Sequence, residues 1–300
     1  MNYSKPFALF VALFAASFAF AQDAAPADST KNWKLNGVAN LNFSQVSLTN
    51  WQAGGESSMS GIMLFKYLAD YQKDKFTWKN SVDIAYGLMK QGDQNWIKSD
   101  DRFELFSKVG YELSDTWSLT AFTTFRSQFT EGYATADEIN LISDFMAPGY
   151  VIPGLGFDYD PNDWFSFNIS PVTSKITFVN NDSLAAVGAF GVDPGENVRV
   201  EIGASARVQI QRKLAENIVL QTKADFFSNY QENPTSIDVN WDLALLMKVN
   251  DWLTTSITTT LIYDEDIDIP LEEDADGNVT KAGPRVQFKE VFAIGLTLKL

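Results

Sequence analysis

The 300-residue sequence contains neither histidine nor cysteine. Without histidine there is no Ser-His-Asp triad, no imidazole metal ligand and no histidine general base near neutral pH. Without cysteine there is no disulfide, no thiolate zinc site and no lipidated cysteine near the N-terminus. These absences exclude the commonest catalytic and metal-binding groups; we predict that the protein is not an enzyme and that it uses no metal or other cofactor.

Basic residues and long apolar runs are also scarce. The chain has 23 Lys and Arg against 38 Asp and Glu, a formal net charge of -15. Nucleic-acid binders need a basic surface to displace counterions from phosphates, so no nucleic-acid partner is expected. The mean hydropathy of -0.12 excludes a bundle of transmembrane helices, which needs several apolar runs of about 20 residues. Aromatic residues, by contrast, make up 14% of the chain.

The N-terminus carries the one clear targeting signal. Lys5 precedes a single apolar run, Phe7–Phe20, and a small residue, Ala21, follows it. This layout is typical of a secretory signal peptide, and the run is too short to span a bilayer as a helix. We predict a cleaved signal peptide over residues 1–21, with an uncleaved anchor as the alternative. Residues 22–32 are polar and small and are predicted to be a disordered leader.

Apolar and polar residues alternate along most of the chain. In the clearest segment, 198–210, Val200 and Ile202 flank Glu201 and the alternation continues without a break. A period of two predicts β-strands with one apolar and one polar face. Because no sustained 3.6-residue period is present, we predict an all-β protein with about 12 strands and little helix. Such segments begin at or near Trp33, Ser57, Phe76, Arg102, Trp117, Gly149, Trp164, Val198, Ile218, Ile237, Trp252 and Val286.

Strand length and loop length distinguish a membrane barrel from a soluble β-sandwich. The predicted strands run to roughly 11–16 residues, whereas strands of globular proteins average about 5–6 and membrane strands need about 9–11. Short and long connections alternate, as in outer-membrane barrels. The sequence thus predicts a transmembrane antiparallel up-and-down β-barrel over residues 33–300. A barrel of about 14 strands is the alternative, because 130–150 and 180–197 are long enough for extra strands or a short helix.

The aromatic excess fits two membrane interfaces. Tryptophans stand at the starts of the odd-numbered predicted strands, and other aromatic residues stand near the far ends of the same strands, as in the two aromatic girdles of a membrane barrel. Core aromatics of a soluble sandwich are the alternative. The first ring comprises Trp33, Trp78, Trp117, Trp164 and Trp252, and the second comprises Tyr86, Phe125, Phe129, Tyr230 and Tyr263.

If the apolar faces meet lipid, the polar faces line the lumen. There the bases outnumber the acids, and a basic pore wall selects negative solutes. The predicted function is therefore a narrow passive channel for small anionic solutes. The alternative is that opposite charges pair across the lumen and fill it, which leaves a closed structural or docking barrel whose loops bind a surface partner. The basic lumen candidates are Lys66, Lys79, Arg102, Lys108, Arg126, Arg199, Arg207, Lys223, Lys248, Arg285 and Lys289; the acidic ones are Asp83, Glu104, Glu112, Glu201, Asp225, Asp238 and Asp242.

Short motifs carry a family resemblance. The stretch 42–56 reads Asn-Phe-Ser-Gln-Val-Ser-Leu-Thr-Asn-Trp-Gln-Ala-Gly-Gly-Glu. Together with later motifs, it resembles an uncharacterised family of outer-membrane barrels from Bacteroidota and related bacteria, described as domain of unknown function 3078. The resemblance extends from about Trp33 to the end of the chain; it implies an exported outer-membrane barrel and supplies no activity. The later motifs are Trp78–Asn80, Tyr86–Lys90, Lys98–Arg102, Gln128–Phe129 with Gly132–Tyr133, Ala147–Tyr150, Gly154–Phe157 and Ser170–Thr173.

Most of these motifs lie in or beside the long predicted connections. We expect the connections to form a cap, which either seals the barrel or binds a ligand; glycine suits tight turns of this kind. The expected partners are outer-membrane lipid, the barrel-assembly machinery, which reads a C-terminal signal such as 295–300, and a small anionic solute. The loop-motif candidates are Asn50, Trp51, Gly54, Gly55, Asp100 and Asp101.

Overall fold

A computed structural model of the chain describes residues 32–48, 56–134, 136, 139–273 and 279–299. The predicted signal peptide, nearly all of the leader, and the loop candidates Asn50, Trp51, Gly54 and Gly55 lie outside the described residues. No helix within the described ranges is long and apolar enough to cross a membrane.

Twelve antiparallel strands close into one barrel, in which each strand pairs with its neighbour and the first pairs with the last. The predicted fold class is thereby confirmed. The alternative of about 14 strands is wrong, because the four additional short strands pair only with each other, outside the barrel. The barrel strands are β1 (Trp33–Val46), β2 (Ser58–Lys73), β3 (Phe76–Gln91), β4 (Ile97–Glu112), β5 (Trp117–Ser127), β8 (Gly149–Asn162), β9 (Phe165–Phe178), β10 (Val198–Ala215), β11 (Ile218–Asn229), β12 (Ile237–Lys248), β13 (Leu253–Tyr263) and β16 (Gln287–Lys299).

Every barrel strand except β4 begins within one residue of the position that the alternation predicts. The strand β4 begins at Ile97 rather than near Arg102. Asp100 and Asp101, predicted in a loop, therefore lie in β4, opposite Gly87 and Tyr86 of β3. Polar residues occupy both faces of 98–101, so no alternation marks this part of the strand.

The long connections at one end of the barrel carry the remaining elements. The stretch between β5 and β8 contains a small hairpin, β6 (Gly132–Tyr133) with β7 (Leu141–Ser143), and a second hairpin pairs β14 (Ile269–Glu273) with β15 (Val279–Gly283). Between β9 and β10 lie a short helix, α1 (Asp182–Ala186), and a 3-10 turn. The other end of the barrel has short turns, as expected for the periplasmic side of an outer-membrane barrel.

Buried apolar side chains cluster in these connections rather than in the barrel. Val179, Leu184 and Val192 pack with two buried alanines in a small core that joins the connections 128–148 and 179–197, which we name the outer cap. Elsewhere in the described part of the chain, only Ala85 is a buried hydrophobic residue. Large apolar side chains along the barrel strands are instead exposed. An outward-facing apolar band of this kind is the lipid-facing surface of a transmembrane barrel.

Aromatic side chains mark both ends of this band. At the short-turn end, the Trp33 ring lies 5.1 Å from that of Tyr71 and 5.7 Å from that of Trp78. The exposed tryptophans of this end are Trp78, Trp117, Trp164 and Trp252. The second predicted ring lies at or just beyond the opposite strand ends, with Tyr86 in β3, Phe125 in β5, Tyr263 in β13, Phe129 just after β5 and Tyr230 just after β11.

Candidate functional site

Ion pairs between strands that are not neighbours identify the face that lines the lumen. Lys223 Nζ on β11 lies 3.3 Å from Glu104 Oε1 on β4. The guanidinium of Arg102, also on β4, lies 3.8 Å from Asp242 of β12. Since β4 is far from β11 and β12 in the barrel order, both contacts cross the interior. Side chains alternate along a strand, so the polar set that contains these residues faces the lumen.

These cross-lumen contacts belong to one central network. Arg126 Nη2 lies 2.9 Å from Glu104 Oε2, and the Arg102 guanidinium lies 3.1 Å from Asp83. Because an unpaired charge in such a site costs several kcal/mol, each member of the network depends on its partners. The network has one more base than acid. Its bases are Lys66, Arg102, Arg126, Arg207 and Lys223, and its acids are Asp83, Glu104, Asp225 and Asp242.

A second network lies at the outer end of the lumen and centres on Lys175, which was not among the sequence candidates. Lys175 Nζ donates to Asp238 Oδ2 at 2.7 Å and to Asp264 Oδ2 at 2.8 Å, and it lies 3.8 Å from Glu201 Oε2. These contacts join β9 to β10, to β12 and to the connection after β13. One buried ammonium group thus holds three carboxylates together.

Arg199 extends the outer network into the cap. Its guanidinium lies 2.7 Å from Glu232, 2.9 Å from Asp266 and 3.5 Å from Glu201. It also donates to the backbone oxygen of Gly191 at 2.9 Å, which ties β10 to the outer cap. Acids outnumber bases in this network, so the outer mouth is negative.

The remaining lumen candidates occupy separate sites. Lys108 forms a buried ion pair with Asp158. Lys79 of β3 lies 3.8 Å from Asp160 of β8, and Lys289 of β16 lies 2.5 Å from Asp100 of β4. Both of these contacts also cross the lumen, because their strands are not neighbours. Lys248 pairs with Asp251 in an exposed short turn.

Arg285 is the one basic candidate of the described chain that the structure places away from the barrel wall. It lies in the connection ahead of β16, it is exposed, and its Nη1 donates to Pro284 O at 3.2 Å. The alternation in the last segment predicts that Arg285 faces the lumen, but the β16 ladder begins only at Gln287. Arg285 therefore contributes to the long-loop surface.

Asp101 fastens the outer cap to the barrel. Its Oδ1 accepts a hydrogen bond from the Phe129 backbone N–H at 2.9 Å, and its Oδ2 accepts one from the Thr130 N–H at 3.0 Å. Lys98 Nζ donates to the same carboxylate at 2.9 Å. The Asp101 side chain is only 1% exposed. It acts as an anchor in the structure, which differs from the predicted place in a loop.

One side of the lumen is densely packed. On the inner faces of β5, β8, β9 and β10, which we name the packed side, polar side chains are buried against each other. Asn168 Nδ2 donates to Asp158 Oδ1 at 2.6 Å and to Thr120 Oγ1 at 3.2 Å. At Gly156 a Cβ would lie only 2.1 Å from Ile169 O, so glycine is required for β8 and β9 to approach this closely.

A cavity of about 340 Å³ lies between the packed side and the inner faces of β4 and β11–β13. Its walls are mainly apolar and aromatic, with a few charged groups from the central and outer networks. The outer cap closes it from above through Pro148 and Phe190. The wall residues include Phe106, Phe122, Tyr150, Ile152, Phe227, Arg126, Lys175 and Arg207.

The opposite side of the lumen is open. On the inner faces of β1, β2, β3 and β16, which we name the open side, charged side chains remain exposed. The side chain of Lys66 is 47% exposed against 28% for its partner Asp83, and that of Lys289 is 47% exposed against 17% for Asp100. The pairs Lys79–Asp160 and Arg102–Asp83, each with one partner on β3, show the same order, with the base the more exposed. Positive groups therefore face the free space on this side.

A family described as "Protein of unknown function (DUF3078)" matches residues 43–133, in agreement with the resemblance seen in the sequence. No curated protein matches the chain. Solved structures with a similar trace include the COG4313 outer membrane channel from Pseudomonas putida F1, with 12% identity, coverage of 93% of this chain and 97% of the other, and a TM-score of 0.40.

The NanC porin shares 9% identity, covers 88% of this chain and 100% of its own, and has a TM-score of 0.38. The translocator domain of the autotransporter NalP from Neisseria meningitidis shares 10% identity over 97% and 94% of the two chains, with a TM-score of 0.35. The pairing of the strands within this chain is what establishes its barrel architecture. Over residues 43–133 the chain matches the family of unknown function DUF3078, and it folds as a closed 12-stranded antiparallel β-barrel with an outward-facing apolar band.

Proposed function

We propose that this protein is a narrow channel that passes small anionic solutes across the outer membrane along the open side of its lumen. The observation that carries the proposal is the exposure of the basic partner in every ion pair on that side, above all Lys66 and Lys289. Exposed ammonium groups on a pore wall lower the energy of an anion that passes them.

The central network sets the size limit of this path. Its cross-lumen contacts at Glu104–Lys223 and Arg102–Asp242 divide the interior, so only the space beside them admits a solute. The surplus of one base in this network favours anions at the narrowest level. The acidic outer mouth works in the opposite direction, and salt screens it because its carboxylates Glu232 and Asp266 are partly exposed.

A closed structural or docking barrel is the second candidate. The observation in its favour is the outer cap, which Arg199 and Asp101 tie to the barrel and which covers the packed side. In that case the long connections hold a surface partner and the lumen conducts nothing. The exposed lysines on the open side favour the channel, because a filled lumen would bury them.

Export and insertion are part of the proposal. The sequence of residues 1–21 supplies the signal peptide for secretion, and the C-terminal stretch from Gly295 supplies the signal for the barrel-assembly machinery. The outward apolar band then meets the lipid of the outer membrane.

The test is conductance of the folded mature protein in planar bilayers under a potassium chloride gradient. A channel of this kind gives discrete current steps and a reversal potential that is shifted towards the equilibrium potential of chloride. If a barrel that shows the folded, heat-shifted band in detergent gels gives no current, the channel is rejected and the closed barrel is favoured. Cation-selective steps reject the anionic preference alone.

A further inference from the structure

The seam that closes the barrel is paired over only part of its length. The ladder between β1 and β16 runs from Val38–Lys299 to Asn42–Gly295 and stops there. Beyond it, Phe43–Val46 pair with β2, and Lys289–Ile294 pair with β13. Within the described residues, no pairing joins these two stretches to each other. All other neighbouring strands of the barrel pair along most of their common length.

The free edges lie at membrane depth. Lys289–Ile294 pair on their other side with Thr255–Thr260 of the membrane-spanning strand β13. In hydrocarbon each unsatisfied backbone group costs several kcal/mol, and irregular backbone is tolerated at this depth only where it is buried in protein or lines a water-filled space. The stretch Gln287–Glu290 is exposed on both faces. Among the described residues, an unpaired seam with exposed edges fits the rim of a water-filled opening.

The outer and inner faces of the rim differ in polarity. On the outer face Phe43, Phe292 and Ile294 are exposed to lipid. On the inner face Lys289 reaches into the lumen, where Asp100 is its partner. The neighbouring Glu290 is exposed on the outer face, where the cost of a charge rises with depth in the bilayer. A molecule that crosses this rim meets apolar groups outside and a cation inside.

We propose that the unpaired part of the β1–β16 seam is a lateral entrance through which single-chain amphiphiles with an anionic head group pass between the outer leaflet and the lumen. The tail lies against Phe43 and Phe292 while the head group contacts Lys289. The proposal deepens the proposed function, because the open side supplies the path that the head group enters. A free sheet edge also accepts a strand from another protein chain, which is the competing occupant.

Because the chain has no cysteine, a covalent closure of the seam is straightforward to design. Continuing the register beyond Asn42–Gly295 places Val46 opposite Val291. The variant Val46→Cys/Val291→Cys, bridged with a bifunctional maleimide, closes the opening. The matched control is Thr258→Cys/Val291→Cys, since Thr258 already pairs with Val291 in the intact β13–β16 ladder.

The probe is dodecyl phosphate with a photoreactive group on its tail, added to vesicles that contain the folded protein. After illumination, mass spectrometry measures labelling of the lumen-facing residue Leu64 and of its lipid-facing neighbour Phe65. We expect both residues to be labelled in the unmodified protein and in the bridged control. In the bridged seam variant, Phe65 labelling persists and Leu64 labelling falls to background.

Equal Leu64 labelling in the bridged seam variant and in the control overturns the lateral entrance, as does the absence of Leu64 labelling in the unmodified protein. Loss of labelling in excess inorganic phosphate also overturns it, because the head group alone would then be the ligand. Cross-links between two copies through Val291→Cys alone assign the edge to a second chain instead. Chloride current recorded on the same preparations tests the channel separately, so the two proposals fail independently.

Discussion

Asn42 and Gly295 form the last pair of the barrel seam, and the side chain of one fills the space that the other leaves empty. A Cβ at residue 295 would lie 1.8 Å from Asn42 Oδ1. Gly61 lies on β2, the strand on the other side of β1, and a Cβ there would have Asn42 O as its nearest atom, 3.8 Å away. The end of the paired seam thus depends on a missing side chain. Any residue larger than glycine at position 295 displaces Asn42.

Gly295→Ala is therefore expected to lower the free energy of unfolding by about 1–3 kcal/mol, the usual cost of overpacking. Gly61→Ala, with room for its methyl group, serves as the control and should change it by less than about 0.5 kcal/mol. The measurement is urea unfolding in detergent, followed by the heat-shifted gel band. Asn42→Gly added to Gly295→Ala should restore stability. Equal stability of the two alanine variants would contradict the packing at the seam.

The anion preference is expected to depend on the open side. Lys66→Gln/Lys289→Gln removes two exposed positive groups, so the ratio of chloride to potassium permeability should fall below that of the unmodified channel. Arg212→Gln is the matched control, because its guanidinium lies 5.0 Å above the Trp164 ring at the short-turn end. Reversal potentials in a salt gradient give the ratio. An unchanged ratio in the double variant would show that the ions take another path.

The central network is expected to be sensitive to loss of one acid. Glu104 contacts both Arg126 and Lys223, and it is buried. Glu104→Gln leaves two bases without their main partner, which should cost about 3–5 kcal/mol of unfolding free energy. Lys248→Gln, which removes an exposed ion pair in a turn, should leave stability unchanged. If the two substitutions change the free energy of chemical unfolding equally, the network is solvated and weak.

The outer cap is expected to loosen when Lys175 loses its charge. In Lys175→Met the carboxylates of Glu201, Asp238 and Asp264 face each other without the ammonium group that now joins them. Their repulsion should expose the connection 179–197 to proteolysis from the long-loop side. Cleavage sites read by mass spectrometry provide the measurement, with Lys213→Met, an exposed residue near a short turn, as the control. A cap that resists protease in both variants would rule out this role.

The positions of the strands were largely predictable from sequence, because one face of each meets lipid and the other meets water. The exception at β4 has a local cause: Lys98, Asp100 and Asp101 put polar groups on both faces of its first residues. The anchoring role of Asp101 depends on Phe129 and Thr130, which are distant in sequence. Alternation within one strand carries no information about such a contact.

Lys175 was missed for a similar physical reason. Counted from the start of β9, strict alternation puts residue 175 on the same face as Phe165, which faces lipid. The ladder with β10 shifts register between Gly203 and Ser205, so a bulge in β9 reverses the faces and turns Lys175 inward. The division of the lumen into a packed and an open side likewise depends on Gly156 and its contacts across strands. Neither feature leaves a periodic signal.

Thiol modification inside the lumen tests the account most directly. Asn36→Cys on β1 places a thiol on the open side, and Thr173→Cys on β9 places one on the packed side, where Thr173 is 1% exposed. An anionic, membrane-impermeant methanethiosulfonate reagent is added while single-channel current is recorded. The account predicts a rapid fall in current for Asn36→Cys and none for Thr173→Cys. Equal reactivity of the two thiols, or modification of Thr173→Cys alone, would contradict a path along the open side.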